Sequence, residues 1–198
     1  MFGAYRARMI VRSLIAAVVA ALLVPSGAAE ARAGASVTVA NMAFTPASVS
    51  VALGESVTWT FQDSVPHTST SDQGFWDSGS RSGGTSYVRR FTSAGTFAYH
   101  CSIHPMMHGV VRVPVGVTAP SEAKRVLRWS TGPAPAGTTF DVQVKAGSGP
   151  WSSFRTDTTR GRAAFKPADH DITYRVRART TRSGADSGWS RPVTITFA

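Results

Sequence analysis

Beyond its first three dozen residues this chain alternates apolar and polar positions with a period of two. Val37-Thr38-Val39 and Val49-Ser50-Val51-Ala52-Leu53 alternate, and Gly54-Glu55 turns the chain into Ser56-Val57-Thr58-Trp59-Thr60-Phe61. Val57, Trp59 and Phe61 then share one face of a strand, because successive side chains in a strand point to opposite sides. Short strands are also predicted over Tyr87 to Phe91, Thr96 to His100 and Val110 to Val113. The same grammar resumes in Lys124 to Trp129, Thr139 to Lys145, Ser152 to Arg155, Ala163 to Lys166, Ile172 to Thr180 and Val193 to Phe197. No window of twelve or more residues in this region keeps a helical apolar period. Regular short strands punctuated by Gly, Ser and Pro predict an all-β protein built as a sandwich or barrel.

Two stretches break this pattern. The segment from Asp63 to Gly84 is long and poor in apolar residues, and it is expected to pack down on the strands through Phe75 and Trp76. The second is Val113-Pro114-Val115-Gly116-Val117-Thr118-Ala119-Pro120, which reads as a boundary between modules. Charge changes at the same place. From residue 34 to 118 four arginines are balanced by four acids, whereas residues 119–198 carry thirteen basic residues against six acids. A neutral module over 34–117, a linker over 118–121 and a basic module over 122–198 are expected. In Tyr174-Arg175-Val176-Arg177-Ala178-Arg179 the three arginines fall on one strand face, expected to face solvent.

The N-terminus differs from both modules. Arg6, Arg8 and Arg12 precede an unbroken apolar run of eleven residues from Leu14 to Val24, followed by Pro25, Ser26 and Gly27. This is the layout of a secretory signal peptide over 1–33, and the run is short of the roughly 20 residues that span a bilayer. Small residues in Ala29-Glu30-Ala31 and Ala31-Arg32-Ala33 offer cleavage sites, so the mature chain is expected to start at Arg32 or Gly34. An exported, extracytoplasmic protein without a retained membrane span follows from this reading.

That address gives weight to the only cysteine, in Tyr99-His100-Cys101-Ser102-Ile103-His104-Pro105-Met106-Met107-His108. One thiol forms no intramolecular disulfide, and in an oxidising compartment it needs either an occupant or inert burial. Metal ligation is the better explanation, because a histidine and a methionine follow at spacings that let all three turn inward from one short loop. A second imidazole is available from His67, which follows Pro66 just beyond the strand ending at Phe61. Cys, two His and a weak Met form the donor set of an electron-transfer copper site. Zinc is the rival, since Cys and His bind it tetrahedrally, but a thioether is poor zinc chemistry. His100 is placed by alternation on the opposite strand face, and His108 and His170 are read as surface residues.

The stretches Gly54-Glu55-Ser56-Val57-Thr58-Trp59, Val65-Pro66-His67-Thr68, Phe75-Trp76-Asp77-Ser78-Gly79 and Gly95 to Met107 resemble the small cupredoxins of the plastocyanin and amicyanin type. The short Cys-x-x-His-x-x-Met loop is similar to the amicyanin form. The resemblance implies a Greek-key β-sandwich with one type 1 (blue) copper ion, His67, Cys101 and His104 in its plane and Met107 axial, leaving Met106 on an exposed loop position. Thr68 stands where these proteins often carry Asn, and its hydroxyl is expected to tie the two ligand loops together. Ile103 keeps a backbone N–H that is expected to be free to donate to the Cys101 sulfur. In the basic module, Trp129, Tyr174 and Ser187-Gly188-Trp189-Ser190-Arg191-Pro192 resemble a fibronectin type III domain, an immunoglobulin-like sandwich.

The expected function is single-electron carriage by Cu(I)/Cu(II) cycling, with a redox partner protein docking where His104 meets the surface. Two alternatives are copper handling as a chaperone, buffer or sensor, and attachment of the basic module to an anionic cell-surface polymer or protein. Catalysis is disfavoured, since no His-x-His pairs build further copper centres and no Gly-x-Ser-x-Gly or phosphate-binding glycine loop occurs. Nucleic acid is not an expected partner of an exported chain without a reader motif.

Overall fold

The structure, a computed structural model, describes residues 34–167 and 169–197. The signal peptide read over 1–33 lies outside the described residues. The first half contains β1 (Ala35–Ala40), β2 (Ala43–Thr45), β3 (Ser48–Ser50), β4 (Ser56–Phe61), β5 (Thr70–Ser71), β6 (Thr85–Arg90), β7 (Gly95–His100) and β8 (His108–Val113). They make two four-stranded sheets, in the orders β2-β1-β4-β6 and β3-β8-β7-β5. All described elements are strands, and among the described residues no helix is long and apolar enough to cross a membrane.

The alternation places the core as expected: Val57, Trp59 and Phe61 on β4 are fully buried, as are Tyr99 on β7 and Val111 and Val113 on β8. The expected strand from Val49 to Leu53 is shorter than its alternation suggests. After Ser50 only the Val51 N–H continues the pairing, to Arg112 O at 3.0 Å. Ala52 to Glu55 then close a turn, with Ala52 N–H donating to Glu55 Oε2 at 2.7 Å and Gly54 at φ 89°, a conformation that favours glycine. The excursion after β4 returns to the sandwich through β5, which pairs with β7 at Thr70–His100 and Ser71–Tyr99. Phe75 and Trp76 are buried in the core, so they cover the sandwich rather than forming a docking patch.

Tyr99 sits at the centre of this core, edge-on to Trp59 with ring centroids 5.5 Å apart. Burial pushes its phenol up to about 12, so it packs as a neutral ring. Directly across the ladder lies Gly109, where a Cβ would stand 2.2 Å from Tyr99 Cζ. The ring occupies the space that a side chain would need.

The second half contains β9 (Gly116–Ser121), β10 (Lys124–Arg128), β11 (Thr138–Ala146), β12 (Trp151–Thr158), β13 (Arg162–Phe165), β14 (Tyr174–Arg182), β15 (Ala185–Asp186) and β16 (Val193–Ile195). One sheet has the order β13-β10-β9, and the other runs β12-β11-β14-β15 with β16 also on β14. Leu127, Trp129, Phe140, Val142, Val176, Ala178 and Ile195 form its core. Residues 118–121, expected as a linker, lie instead in β9 and pair with β10. The arginine face of β14 also differs from expectation. Arg175 is exposed, but Arg177 lies over the rings of Trp151 and Trp189, 4.2 and 4.8 Å from their centroids. Arg179 pairs with both Asp141 and Asp186.

The two sandwiches are joined by main-chain bonds. Below β5 the edge of β7 is taken by the second half: Thr96 N–H donates to Gly188 O and Gly188 N–H to Thr96 O, both at 2.8 Å. Thr96 Oγ1 donates to Trp189 O at 2.8 Å and Thr180 Oγ1 to Ala94 O at 2.8 Å. Ala94 belongs to the second core, and Leu53 touches both. β7 thus begins at this seam and runs directly into Cys101.

Gly109→Ala is expected to drive a Cβ into the Tyr99 ring and lower unfolding stability by about 1–3 kcal/mol. Urea unfolding followed by tryptophan fluorescence measures the change.

Candidate metal centre

Cys101 is the first residue after β7, and the loop it opens returns at Met107 to begin β8. Two backbone bonds close that loop: Cys101 N–H donates to Met107 O at 3.1 Å, and Met107 N–H to His104 O at 3.0 Å. His67 comes from the other sheet's side, in the loop after β4. Its backbone is bracketed by Arg81, with N–H···O bonds of 2.8 Å in both directions. Ser69 continues the anchoring, accepting the Trp76 indole N–H at 3.0 Å and donating its own N–H to Ser78 Oγ at 2.8 Å. The Phe75-Trp76-Asp77-Ser78 stretch is therefore the support of the His67 loop.

These loops converge on three side-chain atoms. Cys101 Sγ lies 3.9 Å from His67 Nδ1 and 3.7 Å from His104 Nδ1, and the two Nδ1 atoms are 3.0 Å apart. The triangle is small enough that one ion could reach all three atoms at bond lengths of roughly 2.0–2.3 Å. Cys101 and His67 are fully buried, and His104 is partly exposed. Met107 is 2% exposed, while Met106 beside it is 81% exposed. The donor types fit copper: a soft cysteine sulfur and a buried methionine on the same loop suit Cu(I), and imidazoles suit both oxidation states.

Residues 13–113, just over half of the chain, match the family described as Cupredoxin-like domain. The chain belongs to this cupredoxin family. It is 35% identical over 95 residues to amicyanin of Paracoccus denitrificans, an alignment covering 45% of this chain and 72% of that protein. Among solved structures it is similar to a reduced Cu(I) form, at pH 4, of a proline-to-glycine variant of amicyanin, at 29% identity and a TM-score of 0.39. An oxidised methionine-to-leucine variant of amicyanin gives the same identity and TM-score; each match covers 40% of this chain and 81% of the other.

Around the cupredoxin donors the sequence anticipates part of the support. Ser102 N–H donates to Thr68 Oγ1 at 2.8 Å, the tie between loops expected of the Thr68 hydroxyl. The donor to the sulfur differs from expectation. Thr68 N–H meets Cys101 Sγ at 3.3 Å, and among the described residues no bond from Ile103 N–H to that sulfur is found.

Asp63 was not anticipated. Its Oδ2 lies 3.0 Å from His67 Nε2, and a carboxylate only accepts, so Nε2 carries the proton and Nδ1 is left bare toward the triangle. The Asp63 carboxyl is held below the ordinary value chiefly by the Asn41 backbone N–H; partial burial opposes this and the His67 ring adds to it. A carboxylate behind a ligating histidine fixes its tautomer and ring orientation. The only sequence signal was an Asp four residues before the His. Of the other histidines, His100 pairs outward with Asp72 at 2.6 Å, and His108 is exposed on β8. His170 stacks on Phe197 in the second sandwich, 4.9 Å between centroids.

Asp63→Ala is expected to weaken copper binding by about 10–100-fold while the protein still folds. Competition against a chromophoric copper chelator reads the affinity, and the circular dichroism of the metal-free variant checks the fold.

Proposed function

We propose that this protein is an extracytoplasmic electron carrier whose copper would be held by His67 Nδ1, Cys101 Sγ and His104 Nδ1, with the Met107 thioether as a further, weaker donor. The observation that carries the reading is the convergence of one cysteine sulfur and two imidazole nitrogens within 4.8 Å of one another. When bound there, copper supplies a one-electron Cu(I)/Cu(II) couple. The protein's part is to keep the donors still. The backbone of Cys101 is bonded to Met107 and that of His67 to Arg81, so the donor triangle is held by hydrogen bonds between and within the loops rather than assembled on binding. The similarity to amicyanin supports a carrier rather than an enzyme.

The surface at this end supports docking of a redox partner protein. Met42, Val65, Ile103 and Met106 are four of the five large apolar side chains that are exposed among the described residues. Val65 precedes His67 by two residues, Ile103 and Met106 flank His104, and the Asn41-Met42 turn contacts Asp63. The partly exposed His104 ring sits among them as the route for the electron. A small apolar rim suits a brief redox encounter, which buries little area. We read the β1–β8 sandwich as the copper domain and the β9–β16 sandwich as fibronectin type III-like, with the boundary between Val113 and Gly116 rather than at the expected 117. The relatives named above bear on the copper domain alone and lend no support to an anionic polymer as partner of the second.

Adding Cu(II) to the purified protein is expected to give an intense blue absorption that ascorbate bleaches. Cys101→Ser is expected to remove the colour. Met107→Leu is expected to keep it and raise the reduction potential, because losing an electron-donating axial ligand disfavours Cu(II). Met106→Leu is expected to change neither, as voltammetry will show. A colourless protein that prefers zinc, or a blue band that survives Cys101→Ser, overturns the assignment.

A further inference from the structure

The second sandwich contains a cleft of about 590 Å³ whose lining includes Arg128, Arg160, Arg162, Ser130 and Thr131 and no acidic residue. We infer that this cleft binds a polyvalent phosphate, a ligand carrying two or more phosphoryl groups. It lies away from the copper loops, and the inference does not depend on the function proposed for them.

The placement of the arginines is the first argument. Arg128 on β10 and Arg162 on β13 are directly opposite each other in the antiparallel ladder. Side chains so paired leave the sheet on the same face, and like charges there destabilise it. Arg160 adds a third cation just before β13. None of the three is in an ion pair among the described residues. The contrast within the same sandwich is sharp, since Arg179 is neutralised by two aspartates and Arg177 lies between two tryptophans. An anion held between the two strands removes the repulsion, and guanidinium forks match phosphoryl oxygens in bidentate geometry.

The second argument is that the walls are built before any ligand arrives. Trp129 N–H and Ser130 N–H both donate to Gly161 O, at 3.0 and 3.1 Å. The buried Trp129 indole donates to Arg160 O at 2.6 Å, fixing the backbone that carries the third arginine. Gly161 packs so closely that a Cβ there would lie 2.4 Å from Gly132 O. Thr131 N–H donates across the seam to Thr92 O at 2.9 Å, which anchors the opposite wall to the copper sandwich. The buried Ser130 and the Thr131 hydroxyl add polar contacts that an oxyanion accepts. One phosphate would fill only a small part of about 590 Å³, so the ligand carries several.

Isothermal titration of the purified protein with sodium pyrophosphate tests this. Saturable one-to-one binding is expected, with Arg128→Gln and Arg162→Gln each weakening it by at least about tenfold, the worth of one charged hydrogen bond. Arg175→Gln removes the same charge from β14 outside the cleft and is expected to change affinity less than about twofold, as screened long-range charge does. The variants relieve a like-charge pair, so their unliganded melting temperature is expected to match or exceed that of the parent. Phosphatidylcholine vesicles containing phosphatidic acid identify the source of the phosphoryl groups. Sedimentation with them that pyrophosphate reverses assigns the cleft to a lipid surface, and pyrophosphate binding without sedimentation assigns it to a soluble ligand. Absence of saturable pyrophosphate binding, or equal loss in all three variants, overturns the inference.

Discussion

The N–H···S contact from Thr68 to Cys101, with its companion from Ser102 to Thr68 Oγ1, is the constraint on which the copper end depends. These two bonds join loops more than thirty residues apart in sequence, and everything nearby serves to bring the loops within reach. β5 pairs with β7 so that the chain after His67 runs beside the strand that ends just before Cys101. Trp76 and Ser78 hold Ser69 from behind, and Arg81 brackets the His67 backbone. The N–H of Thr68 also fixes where the Cys101 sulfur sits relative to His67 and His104.

Much of this was readable because the signals were local. The strands announced themselves by alternation, and Val57, Trp59 and Phe61 face the core as that pattern requires. Cys101, His104 and Met107 sit in one short loop, so spacing alone put them together. His67 required a second loop, yet the strand ending at Phe61 already aimed it at the same end. Asp63 was illegible because its position depends on how an irregular loop folds and on an N–H from Asn41, contributed by a turn of another sheet position. No periodicity encodes such a contact.

The misread elements share a cause. Gly116–Ser121 has no alternation and is mostly exposed; it is a strand only because β10 offers a partner ladder. The arginines of β14 alternate as a solvent face should, but Trp151 and Trp189 arrive from distant segments to cover Arg177. In each case the decisive partner lay elsewhere in the chain. The charge split was read correctly as a property of the second half, although its distribution is uneven: some guanidinium groups are neutralised or stacked, and others are left facing one cleft.

The edge of β7 is shared, its upper part covered by β5 and its lower part by Gly188. An open strand edge is a template for pairing with other chains, and here the second sandwich closes the one that leads into Cys101. The copper sandwich is consequently not an interchangeable cassette. Cut from its neighbour, it would keep the residues proposed as ligands but lose the cap on the strand that leads to Cys101, and grafting it onto another scaffold would require a replacement for that cap.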